Sequence, residues 1–512
     1  MKHMAEIRND NGISTLYVDG QPFQAFAGEV HNSTAYDPER MEIEIWEKME
    51  QSNLNTLIVP VYWETLESEE GKFDFTLVDA LIKQADKYKK KLILLWFGLW
   101  KNAESAYVPV WMKKNSETYF RVELYGGERL NTISPLCTAA VEKDANAFSR
   151  LMEHIRETDE NSAVIMVQVE NEVGLLGTER DYCAQAEEVF GGSVPEMLLP
   201  EQTEKERATW KEAFGDDAEE VFSAWCFASA LEQIASAGRE KHPLPCLTNV
   251  WLKQFPWYPG SYPSGGPVED MLWVWKAAAP SLFTIGPDIY VPYVSDIMKT
   301  YSRPDNPLLI PEVRKDAVTA SYALYAFLHF HALCYAPFGV EDLWADQPSD
   351  LPAEVIDALK LDPLSFNLSG TKETLGEVYR LLEEIRPLYL KYRGTEHMKC
   401  FLKQSDGEQG CYLKFKNYDI EIQYLPRTDG APAAAGVVFE LDENTFLIIG
   451  MMCSIRFHTK PGDHRRVDFL TKEAGTFHVG KWVCEQRQNG DEKIVSVLYN
   501  MPGCFRIETF KY

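Results

Sequence analysis

The stretch LVDALIKQADKYKKKLILLWFGLW, Leu77–Trp100, changes its period halfway. Leu77, Leu81, Ile82 and Ala85 recur at helical spacing and mark one face of an amphipathic helix. LILLWFGLW is then apolar on both faces of a strand, as a parallel strand covered on both sides must be. The same scheme stands upstream in PERMEIEIWEKMEQSNLNTLIVPVYW, Pro38–Trp63. There Met41, Ile43, Ile45, Trp46 and Met49 predict a helix with an apolar side, SNLN breaks it, and TLIVPVYW reads as a strand.

From Phe23 to about Gly339 this unit repeats. The apolar runs are FQAFAGEV, TLIVPVYW, LILLWFGLW, AVIMVQVE, PCLTNVWL, LFTIGPDIY, PLLIPEV and LCYAPFGV. Helical stretches such as AFSRLMEHIRE, AWCFASALEQIASAGRE and ASYALYAFLHFHA separate them. Eight alternating units predict an α/β fold of the (β/α)8 barrel type. A doubly wound sheet would more often carry a glycine-rich phosphate loop after its first strand, and GEVHNS is not one.

The character changes after about Glu396. CYLKFKNYDIEIQYL, GVVFELDENTFLIIG and EKIVSVLYN read as strands, with hairpin turns at Asp442–Asn444 and Asn489–Glu492. GEVYRLLEEIRPLYLKYRGTEH predicts a helix from Gly376 that closes the barrel. The expected division is a barrel catalytic domain over 1–395 and a β-sandwich-like domain over 396–512.

The chain has 512 residues and a formal charge of −27. That balance argues against nucleic acid or an anionic membrane surface as partner, since both need a basic face. No run of about 18 apolar residues suggests a membrane span, and MKHMAEIRNDNG lacks the apolar core of a signal peptide. The ten cysteines are scattered, with no pair at zinc spacing. Buried free thiols in a reducing cytoplasm are the expectation. A homo-oligomer stays open.

In a barrel the reactive face lies at the carboxyl ends of the strands. In chain order the predicted strands deliver Glu29, His31 and Asn32; Tyr62, Trp63 and Glu64; Trp96, Trp100 and Asn102; and Glu170, Asn171 and Glu172. The second half delivers Asn249 and Trp251; Asp288 and Tyr290; Glu312 and Arg314; and Glu341, Asp342 and Trp344. This rim is rich in carboxylates, amides and tryptophans. It lacks a phosphate cradle, a Ser/His/Asp spacing and a metal constellation, so neither cofactor nor metal is expected. A carbohydrate substrate fits the inventory. Trp63, Trp100 and Trp344 would stack on sugar rings, and Glu29 and Asn102 would bind hydroxyls. Glycoside cleavage needs two carboxyl groups flanking the scissile bond. Glu172 and Glu312, at the ends of strands four and seven, can face each other across a pocket. Glu170 points to the other side of its strand from Asn171 and is expected to pair with an Arg or Lys.

These residues resemble a known family. VQVENEVG (Val167–Gly174) is similar to the acid/base segment of glycoside hydrolase family 35, the β-galactosidases of clan A. VPVYWETLESEEGKFDF (Val59–Phe75) resembles that family's strand-two segment, and family 42 looks similar there. The resemblance runs from about Gln21 to Trp344. It implies that Glu172 is the general acid/base, that Asn171 binds the sugar 2-hydroxyl, and that Glu312 in LLIPEVRKD is the nucleophile. It implies that Tyr290 in PDIYVP hydrogen-bonds that nucleophile. FAGEVHNST departs from the family's usual segment after strand one, and the chain is short, like the branch with one small carboxyl-terminal domain. The implied activity is retaining hydrolysis of a terminal β-linked hexose, foremost a β-D-galactoside. A β-glucosidase, a transglycosylase and a non-catalytic carbohydrate-binding protein are the alternatives.

Overall fold

Eight strands form one sheet: β1 (Ala25–Glu29), β2 (Thr56–Tyr62), β3 (Lys91–Lys101), β4 (Val164–Asn171), β5 (Cys246–Trp251), β6 (Leu282–Asp288), β7 (Ile310–Val313) and β8 (Cys334–Pro337). Their order is β6-β5-β4-β3-β2-β1-β8-β7, and the pairings from β1 to β6 are parallel. The Ile289 N–H, just past β6, donates to the Glu312 carbonyl of β7 at 2.9 Å. The two ends of the sheet therefore meet, and the fold is the expected barrel. The computed structural model describes residues 5–199, 208–345, 353–358, 365, 367–428, 430–493 and 496–512.

Every residue of β2 and β4 is buried, whichever way its side chain points. That is what runs without polar alternation require. The helix Thr76–Tyr88 covers the sheet with Val78, Leu81, Ile82 and Ala85, each larger side chain stabilising the fold by roughly 1.5–3 kcal/mol on burial. Asp74 accepts from the Thr76 N–H at 2.9 Å near its start, and Lys89 ends it in the left-handed region at φ +54. Leu77 is only half-buried, so the covering face lies one position further along than its spacing suggests.

The segment after Pro38 corrects the reading as one helix. It is an α turn over Pro38–Met41, a π turn over Glu42–Trp46 and a 3-10 turn over Met49–Ser52. The wider π turn changes the angular phase. Ile45, Trp46 and Met49 are buried, while Ile43 is 60% exposed. The long helices Thr138–Thr158 and Ala218–Lys241 pack closely where Gly238 meets the Phe148 ring. A Cβ at Gly238 would overlap that ring.

By its internal contacts the chain divides into two compact units. The first is Met1–Glu47, Thr56–Ile289 and Thr300–Glu312. The second is Lys48–Asn55, Tyr290–Lys299 and Val313–Tyr512. Within the second, the helix Thr371–Tyr392 begins five residues before Gly376, the start read from the sequence. From Met398 onward the second unit is built of strands. A six-stranded and a four-stranded antiparallel sheet enclose Phe401, Tyr418, Ile420, Ile422, Phe446 and Ile448. The turn at Asp442 forms as read, with its carboxylate accepting from the Asn444 and Thr445 N–H groups at 3.0 and 2.9 Å. Of EKIVSVLYN only Val497–Leu498 is strand, and residues 494–495 lie outside the described ones. The hairpin Val467–His478 with Lys481–Arg487 was not anticipated.

All ten cysteines are free thiols. Seven are buried as expected, Cys400 and Cys411 are half-buried, and Cys484 is exposed. Among the described residues no helix is long and apolar enough to cross a membrane.

Candidate active site

The carboxyl end of β4 leaves the strand abruptly. Glu170 has φ +63 and Glu172 has φ +48, both in the left-handed region that bulky residues seldom adopt. Hydrogen bonds hold this kink. The Glu172 N–H donates to Asn249 Oδ1 of β5 at 2.8 Å, and its carbonyl accepts from the Ala103 N–H at 3.1 Å. The Asn171 carbonyl accepts from the Asn102 N–H, also at 3.1 Å. Backbone in such a region persists where the surroundings over-determine it, and that is common at functional sites.

Asn249 ties the site together. Its amide nitrogen donates to Asp288 Oδ2 at 2.7 Å and to Asn171 Oδ1 at 3.2 Å, with Glu312 Oε1 at 3.5 Å. Asn171 in turn donates to Asn102 Oδ1 at 3.1 Å. Side chains from β4, β5, β6 and β7 thus converge on one buried spot. One carboxyl oxygen each from Glu172, Asp288 and Glu312 lies within 4.8 Å of the other two. All three residues are buried. A cation would find its ligands in the same three groups.

Three carboxylates at that spacing cannot all ionise without water. Burial first, and the Glu312 charge second, push the Glu172 carboxyl up to about 7, against the opposing charge of Lys101. Asp288 is pushed well above the usual carboxylate range, by burial first and then by the neighbouring Glu312 and Glu172. Glu29, fully buried at the end of β1, adds its own charge to the field on Asp288.

The other expected site residues divide. Trp100 is fully buried, donates Nε1–H to the Ile133 carbonyl at 2.9 Å and packs edge-on against Phe227. Trp63 is also fully buried, with Nε1–H bonded to Glu67 at 2.8 Å and its ring against Trp96. Neither offers an open face to a sugar, which corrects both assignments. Trp344 is buried in the second unit, where Nε1–H donates to Ser52 Oγ at 3.0 Å. Tyr290 belongs to the second unit and accepts from Ser365 Oγ through its carbonyl at 3.0 Å. Arg314 pairs with Asp316 at 2.7 and 3.0 Å.

Among the described residues Glu170 has no Arg or Lys partner, contrary to expectation. It is fully buried against β3, where it accepts from the Leu99 and Trp100 N–H groups at 3.0 and 2.6 Å. Asp144, from the helix Thr138–Thr158, shares the Leu99 N–H at 2.8 Å and accepts from Trp96 Nε1–H at 2.8 Å. Burial raises Asp144 to about 6. Burial and then the Asp144 charge raise Glu170 further above its ordinary value. The two carboxyls meet at the Leu99 N–H, from which both accept. Gly98 makes room for them, because a Cβ there would overlap Asp144 Oδ2, Glu170 Oε1 and Trp96 Nε1. Gly98→Ala is expected to cost about 1–3 kcal/mol of stability, measurable by urea unfolding. An unchanged midpoint would show that the pair yields freely.

Asn249 and Asp288 stood on the predicted rim, but nothing in the sequence distinguished them from its other polar residues. Asp144 lies mid-helix and carried no signal.

Residues 15–260 match the model of glycosyl hydrolases family 35, and residues 375–497 match that of a domain of unknown function, DUF5597. A beta-galactosidase of Xanthomonas manihotis is 27% identical over 174 residues, which are 32% of this chain and 26% of that protein. The alignment thus spans about a quarter of that relative's length. The beta-galactosidase structure from the psychrophilic Marinomonas ef1 superposes with a TM-score of 0.50 at 12% identity, covering 71% of this chain and 60% of that one. This likeness is one of fold. For the beta-galactosidase from Rahnella sp. R3 the TM-score is 0.48 at 15% identity, over 72% and 57% of the two chains.

Proposed function

We propose that this chain, whose residues 15–260 belong to glycosyl hydrolases family 35, cleaves a terminal β-linked hexose, foremost a β-D-galactoside, with retention of configuration. The observation that carries this reading is the approach of Glu172 and Glu312 oxygens to within 4.8 Å, from strand ends four and seven of a barrel. Double displacement uses carboxyl groups about 5–5.5 Å apart, whereas inversion needs about 6.5–9.5 Å to admit a water between them. The beta-galactosidase relatives favour galactose as the sugar.

In this reading Glu312 attacks the anomeric carbon while the Glu172 carboxyl gives its proton to the departing oxygen. The glycosidic C–O bond breaks as the C–O bond to Glu312 forms. Glu172, now a carboxylate, takes a proton from water, whose oxygen displaces Glu312 and restores both groups. Asn171 and Asn102, joined by their own hydrogen bond, and Glu29 bind sugar hydroxyls. Asn249 positions the machinery by fixing the backbone of Glu172 and the side chain of Asp288. The barrel acts as the catalytic domain over 1–395, and 396–512 is a β-sandwich-like domain that packs within the same compact unit as Val313 onward.

The test is the anomer first released from a nitrophenyl β-glycoside, followed by proton NMR before mutarotation. The β anomer is expected, and the α anomer would overturn retention. Running the galactoside beside the glucoside decides the sugar, and adding an acceptor sugar separates hydrolysis from transfer.

A pH dependence follows. Glu172 must be protonated to act as acid, and its carboxyl sits at about 7. The kcat/KM for a poor leaving group is therefore expected to fall as pH rises through about 7. Glu312→Gln removes a negative neighbour that opposes ionisation, so the Glu172 carboxyl should titrate lower. Carbon-13 NMR of Glu172 in that variant reads the shift directly; a rise would contradict the assigned cause.

A further inference from the structure

The loop after β5 carries three aromatic residues that the core does not absorb. Phe255 is 68% exposed, Trp257 51% and Tyr258 61%. Trp257 has φ +71, a backbone region usually left to glycine, and its N–H closes a turn onto the Gln254 carbonyl at 2.9 Å. The Tyr258 carbonyl accepts from Ser261 N–H at 3.0 Å and from Ser261 Oγ at 2.6 Å. The rings are thus displayed by an ordered turn rather than folded inward.

This loop is clasped to the segment that follows Glu172. Leu175 and Ser264 exchange backbone hydrogen bonds at 2.9 and 2.8 Å, and the Gly177 N–H donates to the Gly260 carbonyl at 2.9 Å. Ser264 Oγ donates to the Glu179 carbonyl at 2.6 Å. Glycines allow the contact. At Gly174 a Cβ would lie 2.7 Å from the Pro263 Cβ, and at Gly260 2.8 Å from the Thr178 backbone nitrogen. The aromatic turn is therefore fastened to the chain within a few residues of Glu172, at the carboxyl face of the barrel.

We infer that Phe255, Trp257 and Tyr258 form a stacking platform for the leaving-group sugar, so that the substrate is an oligosaccharide rather than a simple alkyl glycoside. The inference rests on the glycosidase reading above. The acid must reach the glycosidic oxygen, so the leaving group departs on the side of Glu172, whereas the nucleophile reaches the anomeric carbon from the opposite side. A pyranose presents a face of C–H bonds that packs on an aromatic ring, and Trp and Tyr supply that ring with a polar edge for the hydroxyls. Contact with a remote part of the substrate lowers the barrier when it is made in the transition state.

The test compares a β-linked disaccharide with the corresponding glycosyl fluoride, whose leaving group is one atom and reaches no platform. Nitrophenyl glycosides are avoided, because their own ring can stack. In Trp257→Ala the ratio of kcat/KM for disaccharide over fluoride is expected to fall about tenfold, with Trp257→Phe recovering most of it. Tyr258→Ala provides a second reading should Trp257→Ala not fold. Equal losses on both substrates, or no loss on the disaccharide, would overturn the platform while leaving the glycosidase reading intact. A wild-type protein inert toward the fluoride and the disaccharide would bring down both.

Discussion

Glu312→Ala abolishes turnover of every glycoside in the proposed mechanism, by roughly 10⁴-fold or more, as removal of a covalent nucleophile does elsewhere. The loss should not depend on the leaving group. Both good and poor leaving groups need the carboxylate to stabilise and then bond the anomeric carbon. The vacated space lies on the face opposite the leaving group. Azide admitted there can attack directly, and the product is an α-glycosyl azide, inverted relative to the β substrate. The fold should survive, because Ile289 bonds to the backbone carbonyl of residue 312 rather than to its side chain. Uniform residual activity near wild type, or a β-glycosyl azide, would remove Glu312 from this role.

Glu172→Ala separates substrates instead. A dinitrophenyl glycoside departs with little need of a proton, so its first step survives and the glycosyl-enzyme accumulates. A sugar leaving group needs the proton, and general acid catalysis contributes about 10²–10⁴-fold. That spread between substrates is the expected signature. Azide now meets the covalent intermediate from the face that Glu172 has left empty, so the product is the retained β-glycosyl azide. The kink itself should persist, since the Glu172 N–H that bonds Asn249 belongs to the backbone. Equal losses on activated and unactivated substrates, or inverted azide product, would show that the roles are misassigned.

Asp288 complicates both variants in an informative way. It shares the buried spot with both glutamates, whose charges hold its carboxyl well above the usual range, so removing either one is expected to let it ionise more readily.

The sequence by itself determined the barrel. Runs such as TLIVPVYW and LILLWFGLW are apolar on both faces, and only a sheet covered on both sides satisfies them. Strand ends, readable from period, also put Glu172 and Glu312 on the reactive face of the barrel, while the resemblance to family 35 is what picked Asn171 out from its neighbours. Tertiary structure alone decided what those ends touch. Trp63 and Trp100 stand at strand ends, as sugar-stacking residues would. Their indole N–H groups nevertheless find Glu67 and the Ile133 carbonyl, and both rings close into the core. Glu170 finds the backbone N–H groups of β3 and a second carboxyl, Asp144, 26 residues earlier on a helix, rather than a cation. Asn249 and Asp288 enter the site through hydrogen bonds spanning 78 and 39 residues of chain. The physical reason is the same in each case. Periodicity records which face a residue turns, a local property of the backbone. Burial and hydrogen-bond partners depend on which side chains meet across the closed barrel, and no local pattern encodes those distances.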